Sequence, residues 1–252
     1  MIEQIAPRSA PELTDDDILE LYAGAPIPPS GPPPVPSNGR IRVNFVTSLD
    51  GSATVDGRSG SLGGPADLRV FDLLRRLADV VLVGAGTVRT EGYGPMRLHD
   101  ADVVWRRNHG LPDHPVFAIV SGALALDPTS PIFTEAPVRP LILTVANAPD
   151  GPRAALDAVA DVIDCGDTTI DPAQVRAAVV QRGLPRIHCE GGPSLLGALI
   201  AADAVDELCL SLSPTLEGGA GPRIAAGRSA PRTLRLAHVL RADDLLLTRH
   251  VR

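Results

Sequence analysis

The stretch Ala78-Asp79-Val80-Val81-Leu82-Val83-Gly84-Ala85-Gly86-Thr87-Val88-Arg89 decides how the chain is read. Its first half is a continuous apolar run rich in β-branched residues, as a strand buried on both faces requires. The run is too short to span a membrane, so other parts of the chain must cover it, most simply helices. The second half breaks at Gly84 and Gly86. There the missing side chains let a ligand approach the backbone, and the Thr87 hydroxyl can donate to a phosphate oxygen, which makes the strand's carboxyl end a candidate nucleotide site. The dinucleotide fingerprint G-x-G-x-x-G would need a third glycine where Arg89 stands. An isolated G-x-G more often just closes a strand, so the surrounding chain must decide.

Upstream, Thr14 reads as the N-cap of a short amphipathic helix over Asp15 to Tyr22, whose first turn is acidic as the helix dipole favours. Seven prolines follow between Ala25 and Pro36, a segment that can be neither helix nor central strand and is read as an extended arm. The folded domain is expected to begin near Arg40, giving an arm of residues 1–39 and a domain of residues 40–252. Ile41 to Thr47 alternates like a strand and is read as the first, ending in the turn Ser48-Leu49-Asp50-Gly51. A glycine-rich loop leads to Pro65, an accepted first helical residue, and Leu68, Phe71, Leu74 and Leu77 carry helical spacing.

Downstream, Val116 to Ser121, Pro140 to Val145, Asp161 to Asp164, Arg186 to Cys189 and Leu208 to Leu212 read as strands. Helical patterns cover Arg153 to Val159, Ala173 to Arg182 with a cap near Asp171, and Pro193 to Ala202. Leu234 to Leu240 and Leu245 to His250 read as a closing antiparallel pair. Strands alternating with helices predict an α/β fold, three layers α/β/α, with a mostly parallel central sheet and antiparallel C-terminal strands.

Composition narrows the function. The 252 residues carry a net charge of −7, which argues against nucleic acid as the main partner. All 23 basic residues are arginine, so a lysine Schiff base and a P-loop lysine are both excluded. Cys165, Cys189 and Cys209 stand far apart without a C-x-x-C pair, and the six histidines fall singly, so no metal site is expected. With no signal peptide or long apolar segment, no membrane association and a cytoplasmic location are expected.

A second strand–glycine–helix junction, Glu190-Gly191-Gly192-Pro193-Ser194, is more specific than the first. A diglycine leading into a proline-initiated helix bares backbone N–H groups suited to pyrophosphate, although a tight turn would also explain it. Asp67 falls in the first turn of the helix begun by Pro65. It is either a dipole-complementing carboxylate or a proton donor at a cleft rim. Asp50 also suits its Asp-Gly turn, Ser194 also suits a helix-terminal cap, and Asn44 also suits a neighbouring backbone group.

Taken in order, Val43-Asn44, Ser48-Leu49-Asp50-Gly51, Asp67-Leu68-Arg69, Val83-Gly84-Ala85-Gly86-Thr87-Val88, Glu190-Gly191-Gly192-Pro193-Ser194-Leu195 and Asp206-Glu207-Leu208 through Pro214 resemble the motifs of the riboflavin-biosynthesis pyrimidine reductases, which share the dihydrofolate-reductase-like fold. The resemblance covers Arg40 to the carboxyl terminus. It implies NADPH-dependent reduction of a ribosylaminopyrimidinone 5′-phosphate, with hydride delivered to the ribose C1′ of an opened imine. It further implies that Gly84, Ala85, Gly86, Thr87 and Val88, with Glu190, Gly191, Gly192, Pro193, Ser194 and Leu195, hold the cofactor. Ser121 would lie near the adenosine 2′-phosphate. Asn44, Ser48, Asp50 and Arg69 would face the substrate, Asp67 would donate the proton, and the protein would be a homodimer.

Two departures accompany the resemblance. The family's Asp-Asp-Pro is replaced by Glu91-Gly92-Tyr93-Gly94-Pro95, and the zinc deaminase signature is absent, so deaminase activity is not expected. An NADPH-dependent dihydrofolate or other pterin reductase on the same scaffold is therefore the alternative. A nucleotide-binding protein without turnover is a third. Leu208 to Leu212 and Leu245 to Leu247 suit either a dimer interface or the core.

Overall fold

A computed structural model of the chain describes residues 1–252. The chain opens with β1 (Glu3–Ala6), α1 (Asp15–Ala23), β2 (Arg40–Thr47), α2 (Pro65–Arg76), β3 (Val80–Gly84) and α3 (Ala85–Glu91). It continues with α4 (Asp100–Asn108), β4 (Val116–Val120), α5 (Pro131–Thr134), β5 (Leu141–Thr144), α6 (Asp150–Asp157) and β6 (Asp161–Asp164). The last elements are α7 (Pro172–Val180), β7 (Arg186–Cys189), α8 (Pro193–Ala201), β8 (Glu207–Leu212), β9 (Arg235–Ala242) and β10 (Leu245–Val251).

All ten strands form one sheet in the order β1-β9-β10-β8-β2-β7-β3-β4-β5-β6. The run from β8 through β6 is parallel, while β10 pairs antiparallel with β8 and β9, and β9 with β1. This is the mostly parallel sheet with antiparallel C-terminal strands that the sequence predicts. The apolar run of β3 is buried on both faces because its alternate residues serve opposite layers. Val80 and Leu82 pack with Val175 and Val179 of α7 and with Leu195 and Leu199 of α8. Val81 and Val83 pack with Val88, with Ile132 and Phe133 of α5, and with Leu156 of α6. A third cluster joins Ile18, Leu19 and Tyr22 of α1 to Leu73 and Leu74 of α2 and to the antiparallel end of the sheet.

One expectation is corrected and two are sharpened. Ile41 to Thr47 is the second strand in the chain, because Glu3–Ala6 pairs with β9, Glu3 opposite Arg241. Four residues with little alternation carry no local strand signal, so tertiary pairing makes this strand. The strand–glycine–helix junction after β3 is tight: α3 starts at Ala85 directly after Gly84, with Gly86 inside it. On α2 the buried residues are Val70, Leu73, Leu74 and Arg76, followed by Leu77, while Leu68 is 61% exposed and Phe71 half-buried. Leu68 and Phe71 have helical spacing because they line a cleft, not the core.

Residues ahead of Arg40 are part of the packing. Thr14 closes a capping box with Asp17 at the start of α1. Beyond α1 the proline segment runs without helix or strand, and the Pro33 carbonyl accepts from Arg186 Nη1 at 3.1 Å. Leu245 and Leu247 belong to the core. Leu210, Leu212 and Leu246 remain only partly buried, with Leu210 and Leu212 on the face of β8 opposite Cys209.

Candidate active site

At the carboxyl ends of β2, β3 and β7 a cleft of about 420 Å³ opens between α2 and the segments that follow β2 and α3. Ligands in open α/β sheets bind at this end of the strands. The end of β2 contributes Asn44, Phe45 and Val46, and one stripe of α2 contributes Asp67, Leu68, Phe71 and Arg75. Thr87, Glu91, Tyr93, Glu190, Gly192 and Pro193 close the opposite side. Asp67, Phe71 and Arg75 recur every four residues, the spacing that puts side chains above one another on a helix.

Two glycine turns meet at the inner end. β3 and β7 are neighbours, so the turn after each strand emerges beside the other, and the Gly84 N–H donates to the Gly191 carbonyl at 2.7 Å. Gly191 has φ +89, and a Cβ there would stand 2.6 Å from Phe45 Cζ. At Gly192 a Cβ would strike the Thr87 hydroxyl. The Gly191–Gly192 peptide is cis. By position the Ser194 and Leu195 N–H groups have no intrahelical partner, and the same holds for Gly86 and Thr87 at the start of α3. Backbone donors from two adjacent turns suit a pyrophosphate, and at the second turn a side chain on Gly191 or Gly192 would collide with Phe45 or Thr87.

Asp67 stands on the α2 side. Its Oδ1 accepts from Ser211 Oγ of β8 at 2.5 Å. Burial raises its carboxyl above the usual range, and the Ser211 bond offsets this only in part. Asn44 lines the same cleft with no protein hydrogen bond from its side chain, leaving it free for a ligand.

A polar network forms the floor. Arg75 donates from Nε and Nη2 to the two oxygens of Glu190, at 2.6 and 2.8 Å, and the Tyr93 hydroxyl donates to Glu190 Oε2 at 2.8 Å. Burial alone would raise the Glu190 carboxyl, yet the Arg75 guanidinium holds it below its ordinary value. Arg75 lies 4.3 Å over the Phe71 ring, and Tyr93 stacks on Phe117 at 5.8 Å. Glu91 accepts from the Ser59 N–H at 3.0 Å, tying the segment after α3 to the loop that follows β2.

Not every residue expected at the site lies on this cleft. Ser48 donates to Asp50 at 2.5 Å and accepts from the Ser52 N–H. Asp50 in turn accepts from the Glu217 and Gly218 N–H groups, and these bonds, the Ser48 one first, lower its carboxyl to about 2. Both residues shape a turn beside the site. Arg69 projects from α2 toward α1, where it bonds Asp15 at 2.7 Å and the Leu13 carbonyl. Ser121, one residue past β4, is buried, its N–H on the Leu143 carbonyl and its own carbonyl accepting from Thr144 Oγ1 at 2.7 Å. The sequence assigns none of Phe71, Arg75, Tyr93 and Ser211 to the site. The four-residue spacing from Asp67 was the signal that could have found the first two.

Fold and cleft together define a class: a dihydrofolate-reductase-like α/β fold in which two glycine turns meet across a cleft from a half-buried acid. The chain belongs to the RibD C-terminal domain family, which matches residues 40–247. It is 26% identical over 207 residues to the 2,5-diamino-6-ribosylamino-4(3H)-pyrimidinone 5′-phosphate reductase of Archaeoglobus fulgidus, covering 81% of this chain and 94% of that protein. It is 27% identical over 191 residues to riboflavin biosynthesis protein RibD of Bacillus amyloliquefaciens, covering 74% of this chain and 49% of that one. A solved pyrimidine reductase-like protein of Corynebacterium diphtheriae superposes with a TM-score of 0.82 at 27% identity, over 95% of this chain and 98% of that one. Membership in this reductase family implies a nicotinamide cofactor.

Proposed function

We propose that the chain is an NADPH-dependent pyrimidine reductase of the riboflavin-biosynthesis type, acting on a 5-amino-6-ribosylaminopyrimidinone 5′-phosphate. The observation that carries this reading is the meeting of the two glycine turns across the cleft from Asp67. When bound, the nicotinamide cofactor would supply a hydride, here to the ribose C1′ of the opened substrate. The free N–H groups at the starts of α3 and α8 would hold its pyrophosphate, with the Thr87 hydroxyl beside them. Asp67 would carry the proton that balances the hydride. Its burial favours the neutral acid, Ser211 orients Oδ1, and Oδ2, beside Gly63, would carry the proton to the substrate nitrogen. Asn44 would bind the heterocycle at the mouth of β2.

NADPH in preference to NADH is supported by Arg89, whose Nη1 donates to the Ala125 carbonyl at 2.9 Å. That bond sets a cation against the loop following Ser121, where the 2′-phosphate is expected. A homodimer is supported by the partly buried Leu210, Leu212 and Leu246 on the antiparallel end of the sheet. Residues 1–39 would act as a clasp on the reductase domain of residues 40–252, since β1 pairs with β9. A cytoplasmic location belongs to the same proposal; no helix is long and apolar enough to cross a membrane.

One observation favours a second reading, a dihydropterin such as dihydrofolate. Arg75 is the sole basic residue on the cleft wall, two of its nitrogens are committed to Glu190, and Asp67 and Glu91 add acid. A substrate 5′-phosphate would find little free positive charge there, whereas a dihydropterin needs a flat slot and an acid. NADPH oxidation measured with the ribosylaminopyrimidinone phosphate and dihydrofolate side by side separates the two. Turnover of the pyrimidine alone, lost in Asp67→Asn, supports the first reading. Turnover of dihydrofolate alone replaces it with the second, and binding of NADPH without oxidation by either leaves a non-catalytic binding protein.

A further inference from the structure

On the far side of β7 from the cleft mouth, the proline arm roofs a small cavity of about 30 Å³ lined by Arg40, Arg42, Arg186 and His188 together with apolar groups of α2 and the arm. Room of this size accommodates one ion with little water. Three guanidinium groups face it and no carboxylate does. The nearest acids are already shared. Glu207 takes Arg42 Nε at 2.5 Å and Arg249 Nη2 at 2.9 Å, with Arg40 at 4.0 Å, and Asp79 takes Arg186 Nη2 and the Arg186 N–H. Arg40, Arg42, Arg186 and Arg249 share the carboxylates of Glu207 and Asp79, with Asp206 further off beside Arg40. The Arg42 and Arg186 side chains are only 10% and 16% exposed, which leaves partly buried positive charge. Burying charge without a partner is costly, so such a surplus calls for an anion.

Unspent donors point the same way. His188 is 2% exposed and neither ring nitrogen makes a hydrogen bond, although a neutral imidazole carries one N–H; Nε2 lies 3.5 Å from Glu190 Oε1, and Nδ1 has no polar neighbour in bonding range. The Arg186 Nε–H is also buried without a partner. Both side chains line the cavity. We infer that this cavity is a binding site for a small monovalent inorganic anion of the halide class, held by Arg40, Arg42 and Arg186 and fastening the proline arm to the sheet. Pro33 reinforces the link, since its carbonyl accepts from the same Arg186.

The probe is bromide, which scatters anomalously. In crystals of the full chain soaked in sodium bromide, an anomalous peak is expected in the cavity. In solution at fixed ionic strength, exchanging sodium gluconate for sodium bromide at about tenfold excess over Kd should raise Tm by about 3–5 °C. Arg40→Gln should abolish that increment, while Arg139→Gln, at an exposed ion pair elsewhere, should keep it. No peak in the cavity, equal Tm in the two salts, or an increment intact in Arg40→Gln would each overturn the inference. A peak without a Tm increment would mean binding at crystal concentration only, and would overturn it too.

Discussion

The two walls of the cleft are built on different principles. On the β3/β7 side the ligand surface is backbone: two glycine turns and the starts of two helices, positioned by a sheet whose strands are adjacent. On the α2 side it is made of side chains: Asp67, Phe71 and Arg75 on one stripe, locked to Glu190 and Tyr93. A backbone site tolerates few substitutions and suits one kind of ligand, a pyrophosphate. A side-chain surface can be rewritten residue by residue, and the side chains of Glu91 and Tyr93, which face α2 across the cleft, belong to it as well. The cofactor half is therefore expected to be generic to the family and the substrate half particular to this chain.

The largest effect should come from the one side chain asked to do chemistry. Asp67→Asn is expected to lower kcat by about 10²–10⁴, the range of a lost general acid, with KM for the nicotinamide cofactor little changed. Because burial raises the Asp67 carboxyl, the neutral acid persists above the usual carboxylate range, and kcat should fall as pH rises through that raised value. The stability sign is the opposite of a salt-bridged aspartate's: the folded state favours the proton, so the Asp67 contribution is full at low pH and lost as pH rises through the raised value. Asp67→Asn should accordingly unfold no earlier than the wild type at pH 7. An inactive variant that is also destabilised there would point to a structural acid.

Next comes the backbone wall. Gly191→Ala must place a Cβ at φ +89 against the Phe45 ring. Strain of about 1–3 kcal/mol corresponds to roughly 5–150-fold weaker cofactor binding if it falls on the bound conformation. Titration of cofactor fluorescence would measure this, and unchanged affinity would mean that the diglycine is only a turn. Tyr93→Phe probes the side-chain network around Glu190 more gently. It removes a bond to a charged acceptor, about 1.5–3 kcal/mol when buried, and leaves Arg75 in place. The expected result is a substrate KM raised about tenfold with the cofactor KM unchanged; equal change in both would dissolve the contrast between the walls.

That contrast also explains what was legible in the sequence. The strand–glycine–helix junctions are local signals, each complete within a dozen residues, so both turns and their flanking elements stand where the sequence predicts them. The floor network is not local: Arg75 meets Glu190 across 115 residues of chain, and only the adjacency of β7 and β3 brings Tyr93 to the same carboxylate. Leu68 and Phe71 show helical spacing without showing which face they serve. Apolar spacing on a helix reports a face excluded from water, and an active-site cleft satisfies that pattern as well as a core does. Arg69 shows the converse, since its motif position suggests the site while its side chain, one step around the helix, is claimed by Asp15 of α1. β1 carries no local pattern and exists through its pairing with β9.

The smallest effect tests the outer end of the backbone wall, where the 2′-phosphate is expected beside the loop that follows Ser121. Arg89 is the cation there, exposed on α3 and fixed only by its bond to the Ala125 carbonyl. An exposed charge pair is worth about 0.2–1 kcal/mol, so Arg89→Ala should reduce the preference for NADPH over NADH by only about two- to fivefold. The loss should appear in KM for NADPH alone, leaving kcat and the KM for NADH as they were. It should also shrink as salt is raised, because a solvent-facing cation acting on a phosphate is screened within about 8–10 Å at physiological ionic strength. A variant that loses affinity for both cofactors equally would place Arg89 in the helix rather than at the ligand. The outer end would then also be backbone, with Ser121 and the Gly122 turn left to make the distinction.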